Sequence, residues 1–161
     1  MMMGFFSERG IEIAVAAAAV TLVAIIGGLM TEVGAWYEGL RFPSLRPPNW
    51  LFGPAWTVIF ILIAAAGVIG WESAGSGNER FRLIVLFALN GVLNVLWSPL
   101  FFKLRRPDWA LYEVPFLWLS VLAPIILLAP INTTASLLLV PYLIWVSFTS
   151  VLNLSLWKLN Q

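Results

Sequence analysis

The residues that could do chemistry in this chain are polar and aromatic side chains set inside long apolar runs. Between Phe81 and Phe102, Asn90, Asn94, Trp97 and Phe101 step by four, three and four. At about 100° per residue they share one narrow arc of a helix. Tyr142, Trp145, Thr149 and Asn153 do the same further on, and Trp56, Phe60, Ile63 and Gly67 form a third such face. An amide buried in hydrocarbon must find a partner. One reading makes these amides glue between helices, where each bond contributes about 0.6 kcal/mol. The other makes them anchors in a ring-lined pocket, the usual form of a small-molecule site.

Composition narrows the chemistry further. The chain has no Cys and no His, which excludes disulfides, thiolate chemistry, common zinc sites and the usual axial ligands of haem. No metal site is expected. No serine or threonine is paired with a base in a pattern that would mark a nucleophile. A net charge of +1 without a basic tract argues against a nucleic-acid partner. Glu113 lies about one turn inside an apolar run. An ion pair with the Lys103–Arg105–Arg106 segment is the preferred reading, with a proton relay as the alternative.

The elements that carry these residues must be membrane helices. The chain is 61% hydrophobic and only 11% charged, with a mean hydropathy of +0.92. A water-soluble domain of 161 residues cannot cover so much apolar surface. About 20 apolar residues cross a bilayer. Five segments qualify, at about 11–30, 50–71, 81–102, 109–130 and 133–157, joined by a loop at 31–49 and shorter turns. They are too continuous for barrel strands. The expected fold is an all-α five-helix bundle forming a single domain over residues 1–161. The first segment is read as a mature helix, not a leader, because Glu8 and Glu12 spoil a basic flank. Lys and Arg divide six (Arg41, Arg46, Lys103, Arg105, Arg106, Lys158) against three (Arg9, Arg80, Arg82). The positive-inside rule then puts the 31–49 loop and the C-terminus in the cytosol and the N-terminus outside.

Trp50, Trp71, Trp109 and Trp157 mark span ends, where amphipathic rings suit the headgroups. Trp56, Trp97, Trp118 and Trp145 lie deeper, so their indole N–H groups need partners or a cavity. Small residues at Ala16–Ala19, Gly27–Gly28, Ala64–Gly67 and Gly70 allow close helix packing. Packing within the bundle and a dimer seam remain equal readings.

Four stretches in order, "WYEGLRFPSLRPPNWLFGPAW", "NVLWSPLFF", "WALYE" and "PYLIWVSFTSVLN", resemble the TspO/MBR family, the translocator or tryptophan-rich sensory proteins. The resemblance covers about residues 30–157. It implies a five-helix membrane bundle, often a homodimer, that binds porphyrins and related tetrapyrroles of the haem pathway non-covalently. With no axial ligand available, packing and stacking must hold such a ring. The resemblance makes Trp36, Tyr37, Pro47 and Pro48 parts of a lid. Trp56, Asn90, Asn94, Trp97 and Trp145 become the pocket wall, with Phe60 on the Trp56 face and Thr149 and Leu152 alongside. It also matches Trp56 and Trp145 to two rings linked to light-dependent porphyrin breakdown in bacterial relatives. They are therefore candidate catalytic residues in an enzymatic alternative; transport of the ligand is a further one. The chain departs from the family at Phe42, where Lys is usual, and at Leu45, where Trp is usual. Arg41 or Arg46 would then meet ligand carboxylates. The sterol pattern on the last span lacks its basic residue after Tyr142, so sterol is not an expected partner there. Val33, Tyr37 and Arg41 fit that loose pattern only formally.

Overall fold

The computed structural model describes residues 2–161, with side chains from Arg9 onward; Glu8 therefore lies outside the described side chains. The elements are α1 (Met2–Met30), α2 (Ala35–Glu38), α3 (Asn49–Ser73), α4 (Gly77–Ser98), a π-helical turn (Pro99–Lys103), α5 (Pro107–Leu128), α6 (Thr133–Leu138) and α7 (Val140–Leu159). Five helical stretches are long and apolar enough to cross a membrane: α1, α3, α4 with its π turn, α5, and α6 with α7. No strand occurs among the described residues. In hydrocarbon only helices or closed barrels satisfy every backbone group, which is why the apolar runs take this form.

The helices form a closed ring in the order α1, α3, α6–α7, α5, α4 and back to α1. The fifth span meets α3 mainly through α6 and diverges from it along α7. None of α1's described side chains is buried, so it is the most exposed member of the ring, packed between α3 and α4. Gly91 permits its approach: a Cβ there would meet Val23 at 3.3 Å.

Local sequence sets the ends. Ser76 and Glu79 form a reciprocal capping box at the start of α4. Pro107 opens α5 at a position where its missing N–H costs nothing. Pro99 converts the end of α4 to i→i+5 bonding, with Leu104 N–H donating to Pro99 O at 2.9 Å. The wider turn brings two consecutive rings, Phe101 and Phe102, into the interior. The sequence reading takes 133–157 as one helix, whereas the structure breaks it at Leu139, just before Pro141. A proline interrupts the N–H ladder and disfavours helical backbone just before it.

Polar ties hold the two ends of the bundle. At one end Arg9 pairs with Glu72 at 3.0 Å, and Asn132 Nδ2 donates to Ser73 Oγ at 2.9 Å. At the other, Lys103 pairs with Glu32 at 2.8 Å. The ion pair expected between Glu113 and the 103–106 segment does not form. Lys103 is held by Glu32 and Arg106 by its near neighbour Asp108. Both cations instead take carboxylates that are at least partly exposed, where ion pairing needs little desolvation.

Among the glycines, the closest approach of a neighbouring helix is at Gly70 on α3. A Cβ there would lie 2.6 Å from Cδ2 of Leu128, which is fully buried on α5. Gly70→Val should lower stability by about 1–3 kcal/mol, read as a fall in the thermal midpoint in detergent. Gly27→Val, where nothing lies within 4 Å, should leave the midpoint nearly unchanged.

Candidate functional site

Where α3 and α7 part, the ring encloses a cavity of about 540 Å³ beneath the 31–48 loop. Small-molecule sites run from about 300 to 1,000 Å³. α3 supplies Phe52, Trp56 and Phe60 to its wall, and α4 with the π turn supplies Asn94, Trp97, Phe101 and Phe102. α7 supplies Val146, Thr149, Leu152 and Asn153, and α5 supplies Val114 and Leu117. α1 contributes Val23, Ala24, Gly27 and Gly28, and the loop closes it with Tyr37, Phe42 and Arg46.

The aromatic wall is internally packed. Trp97 stacks on Phe101 at 4.9 Å between centroids and 18° between planes. Trp56 stacks on Phe60 at 5.4 Å and meets Tyr142 edge-on at 6.0 Å. Such pairs contribute about 0.5–1.5 kcal/mol beyond the area they cover, so each ring is held in place before any ligand arrives.

Below the wall runs a polar chain. Asn94 Nδ2 donates to Tyr142 Oη at 2.8 Å. Tyr142 Oη donates to Asn90 Oδ1 at 3.3 Å. Asn90 Nδ2 donates to Ser120 Oγ at 2.9 Å, and Ser120 Oγ donates to the Leu117 carbonyl at 2.7 Å. Tyr142 has a single proton, given to Asn90, so it must accept from the Asn94 amide. That orients the Asn94 amide, leaving its carbonyl oxygen and its second N–H for cavity contents.

The loop is a fastened cover. Tyr37 is buried and packs on Phe42 at 4.9 Å and on Phe102 at 5.5 Å. The Arg46 guanidinium lies 3.5 Å from the Phe42 centroid and 5.2 Å from that of Tyr37. One Arg46 nitrogen donates to Asn49 Oδ1, while its buried Nε has no partner. Asn160 clamps the loop to the end of α7. Its Oδ1 accepts from Arg41 N and its Nδ2 donates to Arg41 O, both at 2.9 Å. The hydrogen bond from Lys103 holds the Glu32 carboxyl below the usual carboxylate range. Because that pKa is depressed, the tie is present at neutral pH and is lost as pH falls through the acidic range.

Of the residues singled out in the sequence, Tyr37, Trp56, Phe60, Asn94, Trp97, Thr149, Leu152 and Arg46 line the cavity. Asn90 lies deeper, in the polar chain. Trp145 packs behind the wall, against Phe52 at 5.7 Å and Trp56 at 6.4 Å, with its buried Nε1 unpartnered. Trp118 by contrast donates to Ser147 Oγ at 2.8 Å. Trp36 packs edge-on against Phe101 at 5.9 Å. Pro47, Pro48 and Arg41 belong to the loop but do not line the cavity; Arg41 is exposed. The α1 residues were not foreseen, although Gly27–Gly28 was a visible signal of close approach. Phe42 was read only as a departure, yet it is the ring under Arg46.

These features define a class: a five-span membrane protein with an aromatic-walled internal cavity under a tied loop. The chain belongs to the TspO/MBR family, which residues 14–158 match. It is 40% identical over 136 residues to Protein CrtK of Rhodobacter capsulatus, covering 83% of each chain. It is 39% identical over 144 residues to Tryptophan-rich protein TspO of Archaeoglobus fulgidus, covering 88% of this chain and 92% of the relative. With the human translocator protein it shares 32% identity over 127 residues, 78% of this chain and 75% of that one.

Asn160→Ala removes both bonds to Arg41, each contributing about 0.5–1.5 kcal/mol. Amide hydrogen exchange across residues 35–46 should speed up several-fold, while exchange in α5 stays as in the parent.

Proposed function

We propose that the protein is a membrane receptor or sensor that binds porphyrins and related flat, hydrophobic tetrapyrroles in the cavity beneath the loop. The observation that carries this reading is the cavity itself: about 540 Å³, walled by Trp56, Phe60, Trp97 and Phe101, and closed by Tyr37 and Arg46. A flat ring gains from stacking on such walls, and the fixed rings lose little freedom on binding. Arg46 suits the carboxylates of such a ligand, because its Nε–H is buried and unclaimed and guanidinium–carboxylate bonds are among the stronger ones. The sensory reading also draws on a relative named Tryptophan-rich sensory protein, from Cereibacter sphaeroides, 34% identical over 133 residues.

A second reading rests on the Trp56–Trp145 pair, 6.4 Å apart and edge-to-face. Two adjacent indoles beside a photoexcited porphyrin could relay oxidation, making the protein a light- and oxygen-dependent degrading enzyme.

Titration of detergent-purified protein with protoporphyrin in the dark, followed by tryptophan quenching, tests the first reading. Trp56→Phe with Trp145→Phe should weaken binding about tenfold; parent-like binding would remove the pocket assignment. Illumination of the same complexes tests the second. An oxygen-dependent product from the parent but not from the double variant makes it an enzyme, and equal bleaching in both does not.

We also propose that the loop and the C-terminus face the cytosol, on the six-to-three division of Lys and Arg. The chain has no native cysteine, so single variants report cleanly. Ser44→Cys should react with an impermeant maleimide only from the cytosolic side, and Gly75→Cys only from the opposite side.

A further inference from the structure

Glu113 and the polar atoms of Asn153 have been given no partner in the site as described so far. Glu113 is 6% exposed and Asn153 3% exposed. Neither Glu113 Oε1 nor Oε2 has a hydrogen-bond partner, and neither Asn153 Nδ2 nor Oδ1 has one. The two lie at one level of the bundle. The Trp118–Ser147 bond fixes the register of antiparallel α5 against α7. Five residues from Trp118 toward the loop end is Glu113, and six from Ser147 is Asn153, a displacement of about 8–9 Å in each case. Asn153 lines the cavity, as do Val114 and Leu117, the residues one position and one turn beyond Glu113.

A buried polar atom without a partner costs stability, and a carboxyl group costs most. The protein's own cations do not meet this need. Lys103 is held by Glu32 and Arg106 by Asp108, while Arg105 and Lys158 are exposed. Asn153 Oδ1 on the wall, and Glu113 Oε1 and Oε2 just behind it, one position before Val114, are therefore unclaimed acceptor atoms. An ammonium group carries three donors and no acceptor, so it can serve these oxygens, and its charge favours the ionised form of Glu113 beside it.

We infer that Glu113 and Asn153 form a second polar subsite of the cavity, taking an ammonium or similarly cationic N–H group on an otherwise hydrophobic ligand. The cavity is then bipolar. Arg46 at the loop receives an anionic group, and the α5–α7 wall receives a cationic donor. The inference rests on the cavity being a ligand site, but not on the ligand being a tetrapyrrole.

Three flat probes that differ in one substituent test it: 1-pyrenemethylammonium, 1-pyrenemethanol and 1-pyrenecarboxylate. Each is titrated into full-length protein at fixed detergent concentration and read by energy transfer from tryptophan. Glu113→Gln should weaken the ammonium probe about tenfold, because a charge-assisted bond is lost. The alcohol and the carboxylate should stay within about twofold under the same substitution, since neither carries the charge that bond needs. Asn153→Ala should weaken the ammonium probe selectively as well, and Glu113→Asp, which keeps the charge, should retain its preference. Equal losses for all three probes would reduce the pair to a structural or water-holding role and overturn the inference; so would unchanged ammonium binding in both Glu113→Gln and Asn153→Ala. Protoporphyrin is titrated in parallel. If it binds while the variants show no selectivity, the subsite alone fails. If it does not bind while the ammonium selectivity holds, the tetrapyrrole reading alone fails.

Discussion

A polar side chain inside hydrocarbon must find its partner within the protein, and the rest of this structure follows from that requirement. Asn90, Asn94, Ser120 and Tyr142 come from three helices, α4, α5 and α7, and close one chain of hydrogen bonds among them. That chain sets the rotation of each helix about its own axis. Once α4 turns Asn90 and Asn94 inward, Trp97 and Phe101 must follow on the same face. Once α7 turns Tyr142 inward, Val146, Thr149 and Asn153 follow. The aromatic cavity is thus the continuation, toward the loop, of a polar core that binds the helices together.

The loop completes the same logic at the bundle's end. Its rings pack on Phe101 and Phe102, which the π turn at Pro99 brings inward together. Its backbone is gripped by Asn160 and its first residues by Lys103. Arg46 stacks on two of its own rings and still keeps a donor free for the cavity. A cover held by several modest contacts, each contributing about 1 kcal/mol, is fixed at rest yet can open by local release. That suits access to a closed cavity beneath it.

Much of this was legible in the sequence. Apolar runs of membrane length gave the five spans, and the four-three-four spacing put Asn94, Trp97 and Phe101 on one face that lines the cavity, with Asn90 deeper on it. What escaped has physical reasons. On the fifth span the sequence grouped Trp145 with Tyr142, Thr149 and Asn153; Val146, the next residue of α7, takes the place on the cavity wall, and Trp145 packs at the edge of that face against Phe52 and Trp56. The π turn changes the number of residues per turn, so no regular period could foresee Phe101 and Phe102 both inside. Glu113 looked paired because cations stand close to it in sequence. Yet Lys103 and Arg106 find carboxylates that are at least partly exposed, and only three-dimensional placement reveals that preference. The share of α1 in the cavity comes from Val23, Ala24, Gly27 and Gly28, whose small size marks close approach without saying to what.

The central claim is that a flat tetrapyrrole occupies the space between Trp56 and Trp97 beneath the Tyr37–Arg46 cover. A crystal structure of the protoporphyrin complex tests it most directly. The account predicts macrocycle density inside the cavity, with one ring face against the Trp97–Phe101 stack and a carboxylate within hydrogen-bond distance of Arg46 Nε. A macrocycle bound on the lipid-facing surface, with the cavity empty and its cover unchanged, would contradict it.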